Sequence, residues 1–372
     1  DFGNYEVNID VPEDFVVAAS GELYGQEKKG DRKIWTFKVN DVIDFTWTTS
    51  PHFVIEETEY KDTKIKFYSY PYKTHFSERY LSTIKFCMAY LEDHLGPYPY
   101  PTLSIIDPPI HGIHTGGMEY PTLITSLSFC FFPKGIRIPE TLVVHEFIHQ
   151  YFMQMVATHE VEEPWMDEGI TSYFEGRIMD AFLGEQTSTI DFLGFRSGNK
   201  AYNRAEFFGS QNPKIASNAI KSWQFKHGGY GDISYNKAAI WLQTLEGLLG
   251  KETIDNIFKT YFTRWQFKHP SRQDFIDIVN EIVIQHKSDE FPDGMDWYFE
   301  QVLFGTDICD YSVASIEIQE GKKVWGYFDD EEKCEIKSDT KTPYISDILI
   351  YRLGEVKIPQ EIEIDFEDGK KE

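Results

Sequence analysis

The sequence predicts an α+β multidomain fold, with strand-forming segments at both ends of the chain and helices between them. Apolar and polar residues alternate through residues 5–11 and 33–39, which is typical of strands. Short alternating segments return at 315–318 and 348–351. Because the chain has 372 residues, 41% of them hydrophobic, we expect about two to four domains with cores of their own.

The central part of the chain changes to helical periodicity. Residues 80–91 carry apolar side chains at helical spacing and are followed by Gly96 and Pro97, which end helices. A short strand is expected at 103–106, and helices at 237–249 and 253–265. A further strand at an edge is expected over 118–125, since Pro121 is tolerable only where no backbone donor is required.

These patterns predict three domains. Residues 1–73 would form an N-terminal β domain, 74–310 a mostly helical central domain, and 311–372 a C-terminal β-sandwich-like domain. Both terminal domains are expected to be truncated. The chain begins at Asp1, without a methionine, and passes directly into strand-like sequence, so we expect a processing or expression boundary there.

The charge balance excludes some partners. Lys and Arg number 36 against 61 Asp and Glu, a formal net charge of -25, so nucleic acid and anionic membrane surfaces would be repelled. No apolar run approaches the roughly 20 residues that cross a bilayer. The four cysteines have no paired spacing and are expected to be buried thiols rather than metal ligands or disulfides: Cys87, Cys130, Cys309 and Cys334.

The pentapeptide HEFIH carries the clearest chemical signal. His145 and His149 are four residues apart in a segment with a wide apolar stripe that begins near Pro139 and reaches Met155. On a helix they project from one face, so both imidazoles can bind one zinc ion. Glu146 is rotated by about 100° and can take a proton from the activated water. This arrangement predicts one zinc ion per chain and a hydrolase.

A catalytic zinc keeps three protein ligands and one open position. Glu168 is the expected third ligand, because the 18 residues between it and His149 can finish one helix, turn, and bring a second helix alongside. The alternative, an ordinary solvated carboxylate, fits poorly between Trp, Met and Gly. The loop between the two helices, with its acidic residues Glu160, Glu162 and Glu163, is interpreted as solvated.

Together, HEFIH, the 18-residue gap and MDEG resemble the aminopeptidase N-like family of gluzincin metallopeptidases, which also includes leukotriene A4 hydrolase. Gly116-Gly117-Met118-Glu119-Tyr120 is similar to that family's GxMEN segment, and Tyr235-Asn236-Lys237-Ala238 resembles its YxKG segment. The resemblance covers roughly residues 2–305. It implies that the catalytic domain is thermolysin-like, with a helical subdomain beside the zinc.

The resemblance also implies roles for the loop before the zinc helix. Glu119 would bind the free α-amino group of a peptide, which makes physical sense because a carboxylate beside the zinc favours an ammonium. The segment Gly116, Gly117 and Met118 would let the substrate backbone approach and pair with an edge strand. For the two glycines a plain turn is an alternative, and for Glu119 a surface strand position.

By the same resemblance Tyr235 would donate a hydrogen bond to the oxyanion that develops on the scissile carbonyl; the alternative is core packing. Two departures from the family pattern are present: Tyr120 and Asp167 each stand where the family has asparagine. Tyr120 puts exopeptidase specificity in question, whereas Asp167 adds charge near the zinc or holds a ligand by a hydrogen bond. His111 and His114 are interpreted as loop residues rather than a second metal site.

The predicted function is therefore that of a zinc aminopeptidase acting on peptides with a free N-terminus. One alternative is an endopeptidase or another hydrolase that uses the same metal centre. The other is a zinc-bearing binding or scaffold protein that has lost catalysis, although such a protein has no use for a general base such as Glu146. The sequence sets neither the oligomeric state nor the compartment, but the family's extracytoplasmic members favour export.

Overall fold

The computed structural model describes residues 1–129, 131–210, 212–226, 228–320, 344–366 and 369–371. The chain divides into two compact units, Asp1–Thr306 and Asp307–Glu372. Every residue of the predicted site lies in the first unit. The boundary predicted near residue 73 falls inside that unit and stays a prediction.

The first unit opens with seven strands: β1 (Gly3–Pro12), β2 (Val16–Ala19), β3 (Glu22–Lys29), β4 (Arg32–Val42), β5 (Trp47–Ser50), β6 (Val54–Tyr60) and β7 (Thr63–Ser69). β4 lies between β1 and β3 in an antiparallel sheet, and β2 pairs with β5. Trp35 and Phe37 stack in the core of this part, at 6.5 Å between ring centroids. The strands predicted at 5–11 and 33–39 are confirmed.

A second sheet has the order β6-β7-β8-β9, where β8 is Thr102–Ile106 and β9 is Leu123–Thr125. β7, β8 and β9 run parallel, and helix α1 (Ser77–His94) forms the connection from β7 to β8. A parallel pair needs such a crossover, so the predicted helix at 80–91 and the strand at 103–106 are both explained by one motif.

The strand expected over 118–125 is much shorter than predicted. Only Leu123–Thr125 is a strand, and Met118 folds back to form an antiparallel bridge with Thr125. Pro121 and Thr122 form a turn, and Thr122 has a positive φ of 56°. Since Pro121 has no backbone N–H and Thr122 adopts left-handed backbone, the ladder cannot continue through them.

The remaining helices of the first unit are α2 (Ile138–Ile148), α3 (Ile170–Leu183), α4 (Asn199–Gly209), α5 (Gly229–Gly231), α6 (Ala238–Leu249), α7 (Lys251–Trp265), α8 (Arg272–His286) and α9 (Asp296–Val302). A small hairpin, β10 (Ile190–Phe192) and β11 (Phe195–Ser197), separates α3 from α4. α2 packs against α1 and α3, and α3 packs against α6. The helices predicted at 237–249 and 253–265 are confirmed.

Helix α2 ends before the apolar stripe does. The predicted stripe reaches Met155, but the helix ends at Ile148, and Phe152 and Met155 are buried in the turns that follow. There the backbone N–H of Gln154 bonds to the carbonyl of His149, and Met153 has a positive φ of 116°. The apolar spacing reflects burial of this turn as well as of the helix.

The second unit contains the antiparallel pair β12 (Tyr311–Glu320) and β13 (Tyr344–Arg352). Strands were predicted here, but the sandwich-like architecture stays a prediction, because residues 321–343 lie outside the described part. Cys87 is buried as predicted, Cys309 is half-buried, and Cys130 and Cys334 lie outside the described residues. None of the described helices has the length and apolar character needed to span a membrane.

Candidate metal centre and surrounding site

Helix α2 presents the two histidines from its last turn. His149 is the residue just after the helix, yet its backbone stays helical, with φ -59° and ψ -21°. The spacing of four residues therefore still places His145 and His149 on one face. Both are buried, at 8% and 1% exposure, so their ring nitrogens are directed to neighbouring side chains and not to water.

Glu168 comes from the turn that precedes α3. Residues Trp165–Gly169 form a π-helical turn, and it brings Glu168 Oε2 to 3.2 Å from His145 Nε2 and 3.4 Å from His149 Nε2. Tetrahedral zinc with ligands at about 2.0–2.2 Å needs about 3.3–3.6 Å between ligand atoms. The three side chains therefore form a potential metal-binding group whose size fits zinc.

A second layer of carboxylates orients the two imidazoles. Glu175 Oε2 lies 3.0 Å from His145 Nδ1, and Asp167 Oδ1 lies 2.8 Å from His149 Nδ1. Asn199 donates from Nδ2 to the other oxygen of Glu175, at 2.6 Å. Carboxylates on the outer nitrogens favour the tautomer in which each Nε2 is free to bind metal. Asp167 thus places a carboxylate charge beside His149, whose Nδ1 also lies 3.3 Å from the Phe152 carbonyl, and both alternatives considered for its departure from the family pattern stay open.

Glu146 lies beside the metal-binding group and is 3% exposed. Burial raises the pKa of its carboxyl to about 7, against the lowering effect of the two histidines. A Cβ placed on Gly117 would lie 3.6 Å from Glu146 Oε1, so the glycine loop faces this carboxylate. Gly117 has a positive φ of 75°, a backbone conformation that glycine adopts without strain.

Tyr235 is brought to the site by a second π-helical turn, Asp232–Lys237. Its ring stacks on His145 with centroids 5.7 Å apart and planes 11° apart. Gly169 makes this approach possible, because a Cβ there would meet Ala238 Cβ at 2.3 Å and the Ser234 carbonyl at 2.8 Å. Burial, together with Glu168, raises the pKa of Tyr235 well above its usual range, so the hydroxyl remains a hydrogen-bond donor.

Glu119 belongs to a group of three carboxylates near the metal-binding group. One oxygen each from Glu119, Glu160 and Asp167 lies within 4.8 Å of the others. The interpretation of the loop at 160–163 as solvated is therefore wrong for Glu160, which is half-buried, and its pKa is raised by burial and by the charges of Glu119 and Glu168. Glu163 is also withdrawn from solvent, since it pairs with Arg272 at 2.7 Å.

The remaining residues singled out near the Glu119 loop lie outside this carboxylate group. Gly116 is extended, and a Cβ on it would approach the Ser126 carbonyl to 2.7 Å. Met118 is exposed next to its bridge with Thr125. His111 and His114 are exposed on the preceding short 3₁₀ turn.

Sequence reasoning missed four residues that shape this site. Glu175 had a usable signal, because it follows Glu168 by seven residues, two helical turns along the same face. Gln150 and Gln154 hold the Glu119 loop through their side-chain amides, and Glu160 joins the carboxylate group. Nothing in the periodicity of the chain marks these three, since their partners lie in a loop about 30 to 40 residues earlier.

The fold and the site point to a class of protein, the metallopeptidases of the HExxH type, with His145, His149 and Glu168 as a potential metal-binding group. Residues 79–298 match the model of the peptidase family M1 domain. The match spans more than half of the chain, which therefore belongs to peptidase family M1. The predicted resemblance to aminopeptidase N-like gluzincins is thereby confirmed.

Several characterised proteins are similar to this chain over part of their length. Leucine aminopeptidase 2 of Sclerotinia sclerotiorum is 26% identical over 216 residues, which cover 56% of this chain and 35% of that protein. Human aminopeptidase B is 25% identical over 206 residues, covering 55% of this chain and 31% of that protein. The chain thus spans about a third of the length of these relatives.

A solved structure supports the fold. The crystal structure of the M1 zinc metallopeptidase from Deinococcus radiodurans superimposes with a TM-score of 0.60 at 16% identity, covering 76% of this chain and 61% of that one. The N-terminal strands followed by a helical region therefore correspond to a known arrangement.

Proposed function

We propose that this chain is a zinc-dependent aminopeptidase that removes single residues from the N-terminus of peptides. The observation that carries the proposal is the convergence of a zinc-sized ligand group, a buried glutamate and a tyrosine donor around one point. When bound by His145, His149 and Glu168, zinc supplies a Lewis acid that polarises a carbonyl and acidifies water.

The residues of the chain would move the protons and stabilise the developing charge. Glu146 accepts a proton from the attacking water and passes it to the amine that leaves. A pKa raised towards 7 by burial suits a group that must both take up and release a proton. Tyr235, whose hydroxyl stays protonated, donates a hydrogen bond to the carbonyl oxygen as it becomes an oxyanion.

Substrate choice would depend on Glu119. The three carboxylates of Glu119, Glu160 and Asp167 concentrate negative charge beside the metal-binding group, and an ammonium has three N–H donors to offer them. The acceptor oxygens gathered beside the metal-binding group support recognition of a free α-amino group, and so an exopeptidase in preference to an endopeptidase.

The names of the relatives agree with this proposal: leucine aminopeptidase, aminopeptidase B and a leukotriene A-4 hydrolase homolog. These names do not exclude the two alternatives, which are an endopeptidase that uses the same metal centre and a scaffold protein without catalytic activity. Hydrolysis of leucine anilide against N-acetyl-leucine anilide separates all three. An aminopeptidase cleaves only the first, an enzyme without an amine requirement cleaves both, and a scaffold cleaves neither.

The test of the amine site is a Glu119→Gln variant. Loss of a charge-assisted hydrogen bond predicts that KM for leucine anilide rises by about 10- to 100-fold, with a smaller change in kcat. Glu162→Gln is the matched control, because this loop carboxylate pairs with Lys221 and its kinetics should stay those of the wild type. Glu146→Gln should still bind zinc but lose turnover, which would assign the activity to this site. For the amine site, an unchanged KM in Glu119→Gln would contradict the proposal.

A further inference from the structure

Two buried glutamines connect the end of the metal-binding helix to the loop that carries Glu119. Gln150 follows the ligand His149 directly, and the backbone N–H of Gln154 donates to the His149 carbonyl at 2.9 Å. Their side chains are 0% and 5% exposed. Both amides are therefore fixed relative to the metal-binding histidine by short covalent or hydrogen-bonded paths.

The two side chains converge on one carbonyl group. Gln150 donates from Nε2 to the Glu119 carbonyl at 3.0 Å, and Gln154 donates from Nε2 to the same oxygen at 2.9 Å. A carbonyl oxygen has two lone pairs, so both acceptor positions of Glu119 are used. Gln150 also donates to the carbonyl of Tyr120, at 3.1 Å.

Gln150 also holds the turn that follows. Its Oε1 accepts a hydrogen bond from the Thr122 backbone N–H at 2.8 Å. Thr122 is β-branched and has a φ of 56°, a conformation that persists only where the surroundings fix it. The Thr122 hydroxyl accepts from the Gly21 N–H at 2.6 Å, so both its backbone and its side chain are held.

We propose that Gln150 and Gln154 are positioning residues that set the distance between the Glu119 carboxylate and the metal-binding group. This inference rests on the proposed function, in which Glu119 binds the α-amino group while the metal-binding group takes the scissile carbonyl. The distance between the Glu119 carboxylate and the metal-binding group then leaves room for one aminoacyl residue. A change of about 1 Å in this distance can lower the reaction rate as much as the loss of a contact does. The two amides therefore help to restrict cleavage to a single N-terminal residue.

A purely structural explanation accounts less well for the arrangement. A buried turn can be filled by apolar side chains, and burying an amide is unfavourable unless its hydrogen bonds are made. Here both ends of the Gln150 amide and the Nε2 of Gln154 are directed to the backbone of residues 119–122, not to their own turn, whereas Gln154 Oε1 has no hydrogen-bond partner among the described residues. On the other side, the Met118 carbonyl accepts from the Thr125 N–H at 2.8 Å. Glu119 is thus held between the edge of the sheet and the metal-binding helix.

The test is a binding measurement on the zinc-loaded protein, with titration calorimetry of leucine hydroxamate and of N-acetyl-leucine hydroxamate. The wild type should bind the compound with a free amine more tightly. Gln154→Met keeps the volume and removes one donor to Glu119, so the preference for the free amine should fall by about tenfold. Binding of the acetylated compound and the zinc content should not change.

Gln243→Met is the matched control. The Nε2 of Gln243, in α6, is buried, and among the described residues it has no hydrogen-bond partner. The same chemical change there should leave the preference for the free amine intact. Gln150→Met should lose more of the preference than Gln154→Met, because it removes contacts to Glu119, Tyr120 and Thr122; if it does not fold, Gln154→Met alone decides.

The outcomes separate this inference from the proposed function. If the wild type binds both hydroxamates equally, the amine site itself is absent and the proposed function fails. If the wild type discriminates and Gln154→Met discriminates as well as Gln243→Met, the amine site stands but the positioning role is overturned. Equal weakening of both hydroxamates in Gln154→Met also overturns it, because that pattern indicates damage to the metal centre.

Discussion

At the scale of single residues, the site depends on carboxylates that have different tasks because their surroundings differ. Glu168 keeps its charge: burial alone would raise its pKa, but hydrogen bonds with His145 and His149 hold the pKa well below its usual range. Among the described residues none forms such a hydrogen bond with Glu146, and burial raises its pKa despite the lowering effect of the two histidines. One carboxylate is thereby suited to bind a cation and the other to exchange protons.

Tyr235 provides the sharpest single-residue prediction about catalysis. Tyr235→Phe removes the hydroxyl and keeps the ring that stacks on His145, so zinc binding should not change. Loss of one donor to the oxyanion predicts a fall in kcat for leucine anilide of about 10²- to 10³-fold, with KM little altered. Tyr202→Phe, an exposed position on α4, serves as the control. A Tyr235→Phe enzyme with wild-type kcat would place this tyrosine in packing instead.

The potential metal-binding group could be predicted because its geometry is local. His145 and His149 lie on one helix face because of their spacing alone, independently of the rest of the fold. Glu168 reaches them through a single turn between two consecutive helices. Glu160 could not be predicted in the same way. It meets Glu119 across 41 positions, and a loop without periodicity gives no indication of the side to which its residues point.

At the scale of secondary-structure elements, two π-helical turns, Trp165–Gly169 and Asp232–Lys237, pack against each other. Each π turn holds one extra residue relative to an α-helix, which redirects side chains and is frequent at functional sites. Trp165, in the first of these turns, contacts Trp241 of α6 with ring centroids 5.1 Å apart and planes 57° apart. The close packing brings both Glu168 and Tyr235 into contact with His145.

Gly169→Ala tests this packing. The added Cβ would lie 2.3 Å from Ala238 Cβ, so the two turns must separate, and we expect a loss of about 1–3 kcal/mol in unfolding free energy. The turn that carries Tyr235 would move away from Trp165–Gly169, so kcat should fall as well.

Gly247→Ala is the matched control. Nothing lies within 4 Å of its added Cβ, and in α6 the change should raise the unfolding free energy by about 0.5–1 kcal/mol. Denaturant unfolding monitored by fluorescence measures both, and equal effects of the two changes would refute the packing role.

Helices were easier to predict than their exact ends and than the edge strand. The periodicity of α1, α6 and α7 extends over at least three turns, so a few exceptions do not hide it. β9 has three residues, too few for a pattern to appear. Residues 118–122 were assigned to the same strand because the alternation of apolar and polar residues continues through them. At Pro121 and Thr122 the backbone conformation forms a turn in spite of this pattern.

At the scale of the whole molecule, acidic charge dominates, with a formal net charge of -25, and part of it is concentrated at the site. Six carboxylates surround the two histidines within the first unit: Glu119, Glu146, Glu160, Asp167, Glu168 and Glu175. Mutual repulsion among them is a cost to folding that a divalent cation offsets. The order of strands and helices was predictable from the sequence, whereas this concentration of charge required the fold.

Removal of zinc should therefore lower the stability of the first unit. Zinc binds the folded ligand group and not the unfolded chain, so saturation at about 1,000 times Kd stabilises by about 4 kcal/mol. For a unit of this size we expect a fall in Tm of about 10 °C when a chelator strips the metal. Differential scanning calorimetry with and without 1,10-phenanthroline measures this, and re-addition of zinc should restore the Tm.

Glu168→Gln provides the control for the chelator experiment. This change removes one ligand, so zinc affinity should fall, and it also removes the carboxylate that pairs with both histidines in the metal-free protein. Its Tm should then respond little to the chelator and lie at or below that of the stripped wild type. If the wild type has the same Tm with and without metal, the ligands are held by packing alone, and the acidic site is preorganised without a cation.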